Sequence, residues 1–149
     1  MSNPSPLAAP SVTRLGRRRV RLPDQAFVVT WMTRDRRPRF EDLALSRRVI
    51  GTMRELEEAG HVRSMAWVLM PDHLHWLVQP EGRGELDAAL DALRRASGGA
   101  DLWAGEFHVE AVPETADIRQ VSRDIVANPL RWGLAESLAD YPHWDAIWI

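Results

Sequence analysis

The chain of 149 residues contains no cysteine, and this excludes several kinds of site at once. Disulfide scaffolds, thiolate zinc sites, iron–sulfur clusters and cysteine nucleophiles all need that residue. Long apolar runs are missing too, since the longest, Met65 to Met70, is far shorter than the roughly 20 residues of a membrane-spanning helix. No apolar stretch follows Met1, so no secretory signal is predicted. We therefore expect a soluble, cytoplasmic protein with no membrane partner.

Lysine is also absent, and all 19 basic residues are arginines. The net charge of −2 conceals an asymmetry, because residues 1–63 hold 13 Arg and 7 acidic residues whereas residues 64–149 hold 6 Arg and 14 acidic residues. Genomic base composition is one explanation of this arginine usage. The other is phosphate binding, for which the planar guanidinium is well suited. Two basic clusters stand out, an arm with Arg17, Arg18, Arg19 and Arg21 and a loop with Arg34, Arg36, Arg37 and Arg39.

The pattern of apolar residues predicts one α+β domain. Strands are expected at 26–33, 62–70, 73–79 and 107–112, and helices at 41–60, 84–96 and 115–127. Thr115 is the expected N-cap of the third helix, and Asn128-Pro129 is expected to end it. The order β-α-β-β-α-β-α predicts a ferredoxin-like split βαβ fold, an antiparallel sheet with helices on one face, plus a C-terminal helix and an irregular tail. Residues 1–16 are expected to be a disordered leader and 17–149 a single domain.

The most informative local pattern is MPDHLHW at 70–76. Residues i and i+2 of a strand point to the same face, so His73 and His75 are expected side by side with Leu74 turned into the core. Two imidazoles at this spacing begin a divalent metal site, although His-x-His also occurs by chance. A third ligand has to come from elsewhere. Gln120, Asp124 and Asn128 form a polar row on the third helix, which is either such a source or a solvent-facing stripe.

Three motifs in order resemble a known family. MPDHLHWLV at 70–78 resembles the HUH motif of single-tyrosine transposases, and specifically of the REP-associated tyrosine transposases. IVANPLRWGL at 125–134 and DYPHWD at 140–145 resemble two further hallmarks of that family. The resemblance covers about residues 17–149, which are therefore interpreted as one HUH transposase-like domain.

The resemblance implies a chemistry and its ligands. By position, His73, His75 and Asn128 would hold one divalent metal ion, Mg²⁺ or Mn²⁺, which polarises a scissile phosphate of single-stranded DNA. The family's nucleophilic tyrosine lies four residues before the Asn, and here that position is Asp124. Tyr141, the one tyrosine of the chain, belongs to the tail motif instead. The expected nucleophile is therefore missing, and whether the chain is an enzyme stays open.

The sequence thus predicts a transposase-like protein that binds single-stranded or hairpin DNA and is impaired in strand cleavage. The arginines of the arm and the loop are the expected phosphate contacts. One alternative is a metal-dependent nuclease in which Asp124 joins the metal site and a metal-activated water attacks. Another is a relic that binds no DNA. The resemblance allows a monomer or a homodimer.

Overall fold

The computed structural model describes residues 25–82 and 84–148. The strands are β1 Phe27–Met32, β2 Val62–Met70, β3 His73–Pro80, β4 His108–Ala111 and β5 Trp144–Ala146. The α-helices are α1 Leu43–Glu58, α2 Glu85–Ser97, α3 Ile118–Val126 and α4 Asn128–Arg131. Short 3-10 turns lie at Arg34–Arg36, Arg39–Glu41, Gly99–Asp101 and Leu138–Asp140. The leader predicted at 1–16 and the arm arginines Arg17, Arg18, Arg19 and Arg21 lie outside the described residues.

The five strands form one sheet in the order β4-β1-β3-β2-β5, and every neighbouring pair is antiparallel. Strand β3 lies between β1 and β2, the two strands that α1 connects. This insertion is the defining feature of the split βαβ arrangement. The predicted α+β, ferredoxin-like fold is confirmed. Within the described part of the chain, no helix is long and apolar enough to cross a membrane.

The hairpin of β2 and β3 determines which side chains face which side of the sheet. A two-residue turn, Pro71-Asp72, joins the strands, and their register pairs Met70 with His73 and Leu69 with Leu74. Backbone hydrogen bonds from Thr33 N to Asp72 O (2.9 Å) and from Phe40 N to Pro71 O (2.9 Å) hold the turn against the loop after β1. The antiparallel connection predicted at Pro71-Asp72 is therefore confirmed.

Each face of the sheet has its own core. On one face, α1 and α2 pack against fully buried strand residues that include Trp31, Leu69, Leu74 and Trp76. On the other face, Ile125 and Val126 of α3 pack against Val68, Met70 and Leu77. Because side chains alternate along β3, the face that carries Leu77 also carries His73 and His75. Helix α3 thus lies on the histidine face of the sheet.

The start of α3 differs from its prediction. Asp117, and not Thr115, is the N-cap, because its carboxylate accepts hydrogen bonds from the backbone N–H groups of Arg119 (3.1 Å) and Gln120 (3.3 Å). Two donors that the first turn leaves without a partner are thereby satisfied. The helix is shorter than predicted at both ends, since it covers Ile118–Val126 and not 115–127. Asn128-Pro129 ends it as expected and then begins α4, whose first turn tolerates proline.

The tail is more regular than predicted. Residues Trp144–Ala146 form β5, which pairs with β2 at the edge of the sheet through Ala66↔Ala146 and Val68↔Trp144. Leu69 N donates to His143 O (2.9 Å) and Ile147 N donates to Met65 O (3.0 Å), extending the contact at both ends. A strand of three residues is too short to show alternation, so the sequence pattern did not indicate it.

Replacing Leu74 with Ala tests the packing beneath the histidines. Leu74 is fully buried between the sheet and the helices, so its truncation is expected to lower the free energy of unfolding by about 2–5 kcal/mol. Leu43→Ala is the matched control, because Leu43 is 49% exposed and the expected change is within about 0.5 kcal/mol. Urea denaturation followed by tryptophan fluorescence measures both. Equal unfolding midpoints for the two variants would contradict the packing described.

Candidate functional site

The two histidines of β3 lie side by side, as the sequence predicted. Their Nε2 atoms are 3.0 Å apart and their ring centroids 4.6 Å apart, with the ring planes nearly perpendicular. Leu74 between them is fully buried on the opposite face. The strand therefore presents two imidazole nitrogens to one point in front of the sheet.

Each imidazole is held through its other nitrogen. His73 Nδ1 lies 2.7 Å from Asp72 Oδ1, and His75 Nδ1 lies 3.1 Å from Thr30 Oγ1 on β1. An ionised carboxylate only accepts, so His73 carries its proton on Nδ1 and keeps the lone pair on Nε2. The Thr30 hydroxyl can donate or accept, so His75 is free to take either tautomer. With Nδ1–H bonded to Thr30, both Nε2 lone pairs become available to a cation, a common arrangement of histidine ligands.

Both imidazoles are neutral near physiological pH. Burial lowers the pKa of His75 to about 3, and the positive charge of Arg131, like that of His73 when it is protonated, acts in the same direction. Burial also lowers the pKa of His73 and outweighs the opposing effect of Asp72. For Asp72, burial acts to raise the pKa, but the hydrogen bond and charge of His73 and the pairing with Arg36 bring it below its ordinary value. A neutral imidazole beside an ionised carboxylate is the state that ligates metal ions.

The nitrogen separation fits a divalent cation. Two ligands at right angles around an octahedral ion with bonds of about 2.1 Å lie about 3.0 Å apart, and the two Nε2 atoms are 3.0 Å apart. In residues 25–82 and 84–148, no three or more His, Cys, Asp or Glu side chains gather in a way that holds a metal ion. A third protein ligand from these residues would be of another type, such as an amide oxygen.

Asn128 lies where α3 passes into α4, at the end of the helix that packs on the histidine face. Its Nδ2 donates to Ile125 O (2.8 Å) and, at 3.4 Å, to Asp124 O. Because only the amide nitrogen can donate to a carbonyl, these bonds fix the orientation of the side chain. Oδ1 accepts no hydrogen bond within the described part of the chain. Its role as the third ligand stays a prediction.

Asp124 lies on α3 with its side chain 53% exposed. Its Oδ1 accepts hydrogen bonds from Gln120 Nε2 (2.9 Å) and Arg131 Nη2 (3.3 Å). The predicted row of Gln120, Asp124 and Asn128 therefore exists as a bonded polar stripe. Sequence reasoning missed Arg131, although its place beside the Asn-Pro motif was a usable signal. The structure does not bring the Asp124 carboxylate into a cluster with the two histidines.

The loop arginines Arg34, Arg36, Arg37 and Arg39 are all exposed and lie between β1 and α1. Arg36 pairs with Asp72, its Nε and Nη2 each 3.0 Å from Oδ2. Arg39 Nη1 donates to Asp101 O at 3.3 Å. The Arg36–Asp72 pair could not be predicted from local patterns, because the two residues are 36 positions apart and belong to different motifs. This pair connects the basic loop to the first histidine.

The hydroxyl of Tyr141 has a structural partner. It donates to Leu69 O at 2.7 Å and lies in the contact between the tail and β2. Burial raises the pKa of Tyr141 to about 12. A phenol that stays protonated and is bonded to the backbone is a poor nucleophile.

Comparisons with known proteins give a partial match. No family profile matches the chain. A REP-associated tyrosine transposase of Escherichia coli K12 is 29% identical over 83 residues, which cover 52% of this chain and 50% of that protein. The chain is homologous to this transposase over the aligned part, and the match spans about half the length of the curated relative.

Two solved structures resemble the fold. A REP-associated tyrosine transposase bound to a REP hairpin superposes with a TM-score of 0.67 at 22% identity, covering 85% of this chain and 79% of that chain. A protein of Deinococcus radiodurans R1 described as a transposase gives a TM-score of 0.52 at 19% identity, covering 75% and 95%. At these identities the likeness establishes a shared fold.

Alkaline titration tests the environment of Tyr141. Since it is the only tyrosine, the tyrosinate absorbance reports this residue alone. Half-ionisation in the folded protein is expected near pH 12 rather than 10. The raised pKa means that its contribution to stability is complete below pH 10 and is lost as the pH rises toward 12. Tyr141→Phe, which removes the step, is the control, and a wild-type midpoint near 10 in the folded protein would show that the hydroxyl is not buried as described.

Proposed function

We propose that this chain is a transposase-like protein of the REP-associated tyrosine type that binds single-stranded or hairpin DNA. In this proposal His73, His75 and Asn128 hold one divalent cation, Mg²⁺ or Mn²⁺. Strand cleavage is impaired, because Asp124 stands where the family has its tyrosine. The observation that carries the proposal is the pair of Nε2 atoms 3.0 Å apart on the face against which α3 packs.

The residues around the histidines support a metal-binding role. Asp72 and Thr30 hold the two rings through Nδ1, which leaves the Nε2 atoms to face each other. Asn128 has its amide nitrogen occupied and its oxygen without a donor within the described residues. When bound, a divalent cation supplies Lewis-acid polarisation of a phosphate and orients it. Two imidazoles and an amide are a suitable donor set for such an ion.

The surroundings of Asp124 support the loss of the step in which the family's tyrosine becomes covalently bonded to a DNA phosphate. The Asp124 carboxylate differs from a phenol as a nucleophile, and its Oδ1 already accepts hydrogen bonds from Gln120 (2.9 Å) and Arg131 (3.3 Å), which reduces its reactivity toward a phosphate. An acyl phosphate formed there would hydrolyse readily, so the bond energy needed for rejoining would be lost. Tyr141 is no substitute, since its hydroxyl is bonded to Leu69 O.

The basic loop supports DNA binding. Four exposed arginines follow β1, and Arg36 reaches the turn that precedes His73. Guanidinium groups at this place would hold phosphates next to the proposed metal site. The solved relative bound to a REP hairpin favours a folded DNA strand as the partner. We extend the contact surface to the arm with Arg17, Arg18, Arg19 and Arg21.

Neither alternative has an observation in its favour. A nuclease with Asp124 on the metal needs that carboxylate free to bind a cation, whereas its Oδ1 accepts hydrogen bonds from Gln120 and Arg131. A relic that binds no DNA gives no role to the four exposed arginines of the loop after β1. Monomer and homodimer both remain compatible with the proposal.

Asp124→Tyr is expected to restore covalent attachment of the protein to DNA. The substitution places a phenol one helical turn before Asn128. Its oxygen can attack a phosphate of the bound strand, so that a phosphotyrosine bond forms while the bond from phosphorus to the 3′ oxygen breaks and a 3′-hydroxyl leaves. We expect a covalent protein–DNA band that needs a divalent cation, from a protein that otherwise gives none. The assay is a denaturing gel with labelled hairpin DNA carrying a single-stranded flank, with Mn²⁺ or with chelator.

Asp124→Phe is the matched control, since it has the same ring without the hydroxyl and should give no band. A band from the unmodified protein that disappears in Tyr141→Phe would show that the nucleophile had been wrongly assigned.

Salt dependence tests the role of the loop. Arg37→Ala is expected to weaken binding of the same hairpin and to lower the slope of log K against log [salt] by about 0.7–0.9, the loss of one phosphate contact. Arg63→Ala is the control, because Arg63 is exposed at the far end of β2, roughly 26 Å of strand away from the Pro71-Asp72 turn. Fluorescence anisotropy at several salt concentrations gives both slopes. Equal slopes for the two variants would show that the loop is not part of the DNA-binding surface of the protein.

A further inference from the structure

A chain of polar contacts runs from the basic loop to the histidine pair. Arg36 bonds to Asp72 (3.0 Å), Asp72 to His73 (2.7 Å), and His73 to His75 (3.0 Å). The two carboxylate oxygens of Asp72 have different partners. Nε and Nη2 of Arg36 both approach Oδ2, while Oδ1 faces His73 Nδ1.

The backbone of the loop has an unusual conformation at this arginine. Asp35 (φ 57°) and Arg36 (φ 56°) are consecutive non-glycine residues in the left-handed region, which such residues adopt rarely. Thr33 holds the turn, since its hydroxyl donates to Arg37 O (2.7 Å) and its carbonyl accepts from Arg36 N (3.1 Å). Strained backbone of this kind persists where the surrounding structure fixes it, and it concentrates at functional sites.

We infer that Arg36 is a positioning residue for the histidine pair, acting through Asp72. By holding Oδ2, Arg36 turns Oδ1 toward His73, which keeps the ring proton on Nδ1 and the lone pair on Nε2, facing His75. The inference rests on the metal site of the proposed function, for which it supplies the orienting group. It also gives Arg36 a role beyond the phosphate contact predicted from the sequence.

A purely structural ion pair would behave differently. Arg36 and Asp72 are partly exposed (56% and 26%), and an exposed pair contributes little to stability. Loss of this pair should therefore leave the thermal midpoint almost unchanged. If Arg36 positions His73, loss of the pair also changes the tautomer of His73 and the metal affinity. An ion pair that only stabilises the fold would change neither of these.

The decisive variant is Asp72→Asn, alone and combined with Arg36→Gln. A guanidinium only donates, so Arg36 holds the amide oxygen and turns the amide N–H₂ group toward His73 Nδ1. The single variant is therefore expected to place the His73 proton on Nε2 and to weaken Mn²⁺ binding about 10–100-fold. In the double variant the amide is free to rotate, so part of the Nδ1–H form returns and Mn²⁺ binds more tightly than in Asp72→Asn alone.

The measurements use the full chain. Long-range ¹H–¹⁵N correlations report the His73 tautomer without metal, and calorimetric titration with MnCl₂ gives the affinity. Arg36→Gln is expected to mix the tautomers and weaken Mn²⁺ binding about threefold to tenfold, with Arg36→Lys restoring most of the loss. Asp35→Gly, which relieves the left-handed strain and keeps the arginine, and the distant Arg63→Gln should both match the unmodified protein.

An unchanged His73 tautomer in Arg36→Gln, or the same tautomer in Asp72→Asn and the double variant, would overturn the inference. Failure of the unmodified protein to bind Mn²⁺ would instead contradict the metal site of the proposed function. The tautomer measured without metal still decides the role of Arg36 in that case.

Discussion

The antiparallel pairing of β2 with β3 across Pro71-Asp72 determines which face of the sheet carries the two histidines of the candidate site. Because Met70 pairs with His73, both histidines face α3, while Leu74 and Trp76 enter the core against α1 and α2. A slip of one residue would exchange these faces, burying imidazoles among apolar side chains. The burial of Leu74 and Trp76 on the opposite face therefore fixes the register of β3 and, with it, the face on which the histidines lie.

Two arginine–aspartate pairs surround the histidine pair and shape its charge. Arg36 is bound to Asp72, and Arg131 is bound to Asp124. The charge of Arg36 helps to lower the pKa of His73, and that of Arg131 helps to lower the pKa of His75, in each case after the larger effect of burial. Each arginine is matched by a carboxylate, so the neutral imidazoles lie between two charge-balanced pairs.

Much of the fold and the centre of the site could be predicted from local patterns. The alternation in 73–79 indicated the shared face of His73 and His75, and the turn residues Pro71-Asp72 indicated the hairpin. Contacts between distant segments could not be predicted in this way. The Arg36–Asp72 pair, the bond from Tyr141 to Leu69 O and the short strand β5 all depend on tertiary packing. The N-cap at Asp117 was missed because Thr115 and Asp117 are both good caps, and backbone geometry decides between them.

The position of Asn128 decides whether the proposed metal site has a third protein ligand. The resemblance assigns this side chain as the third ligand, and Asn128 is the first residue of α4, directly after the helix that packs on the histidine face. Anomalous scattering from a crystal grown with Mn²⁺ tests this most directly. We expect one peak about 2.0–2.3 Å from both Nε2 atoms and from Asn128 Oδ1. A fully loaded crystal with no manganese between His73 and His75, or with Asn128 Oδ1 beyond bonding reach of it, would contradict the account.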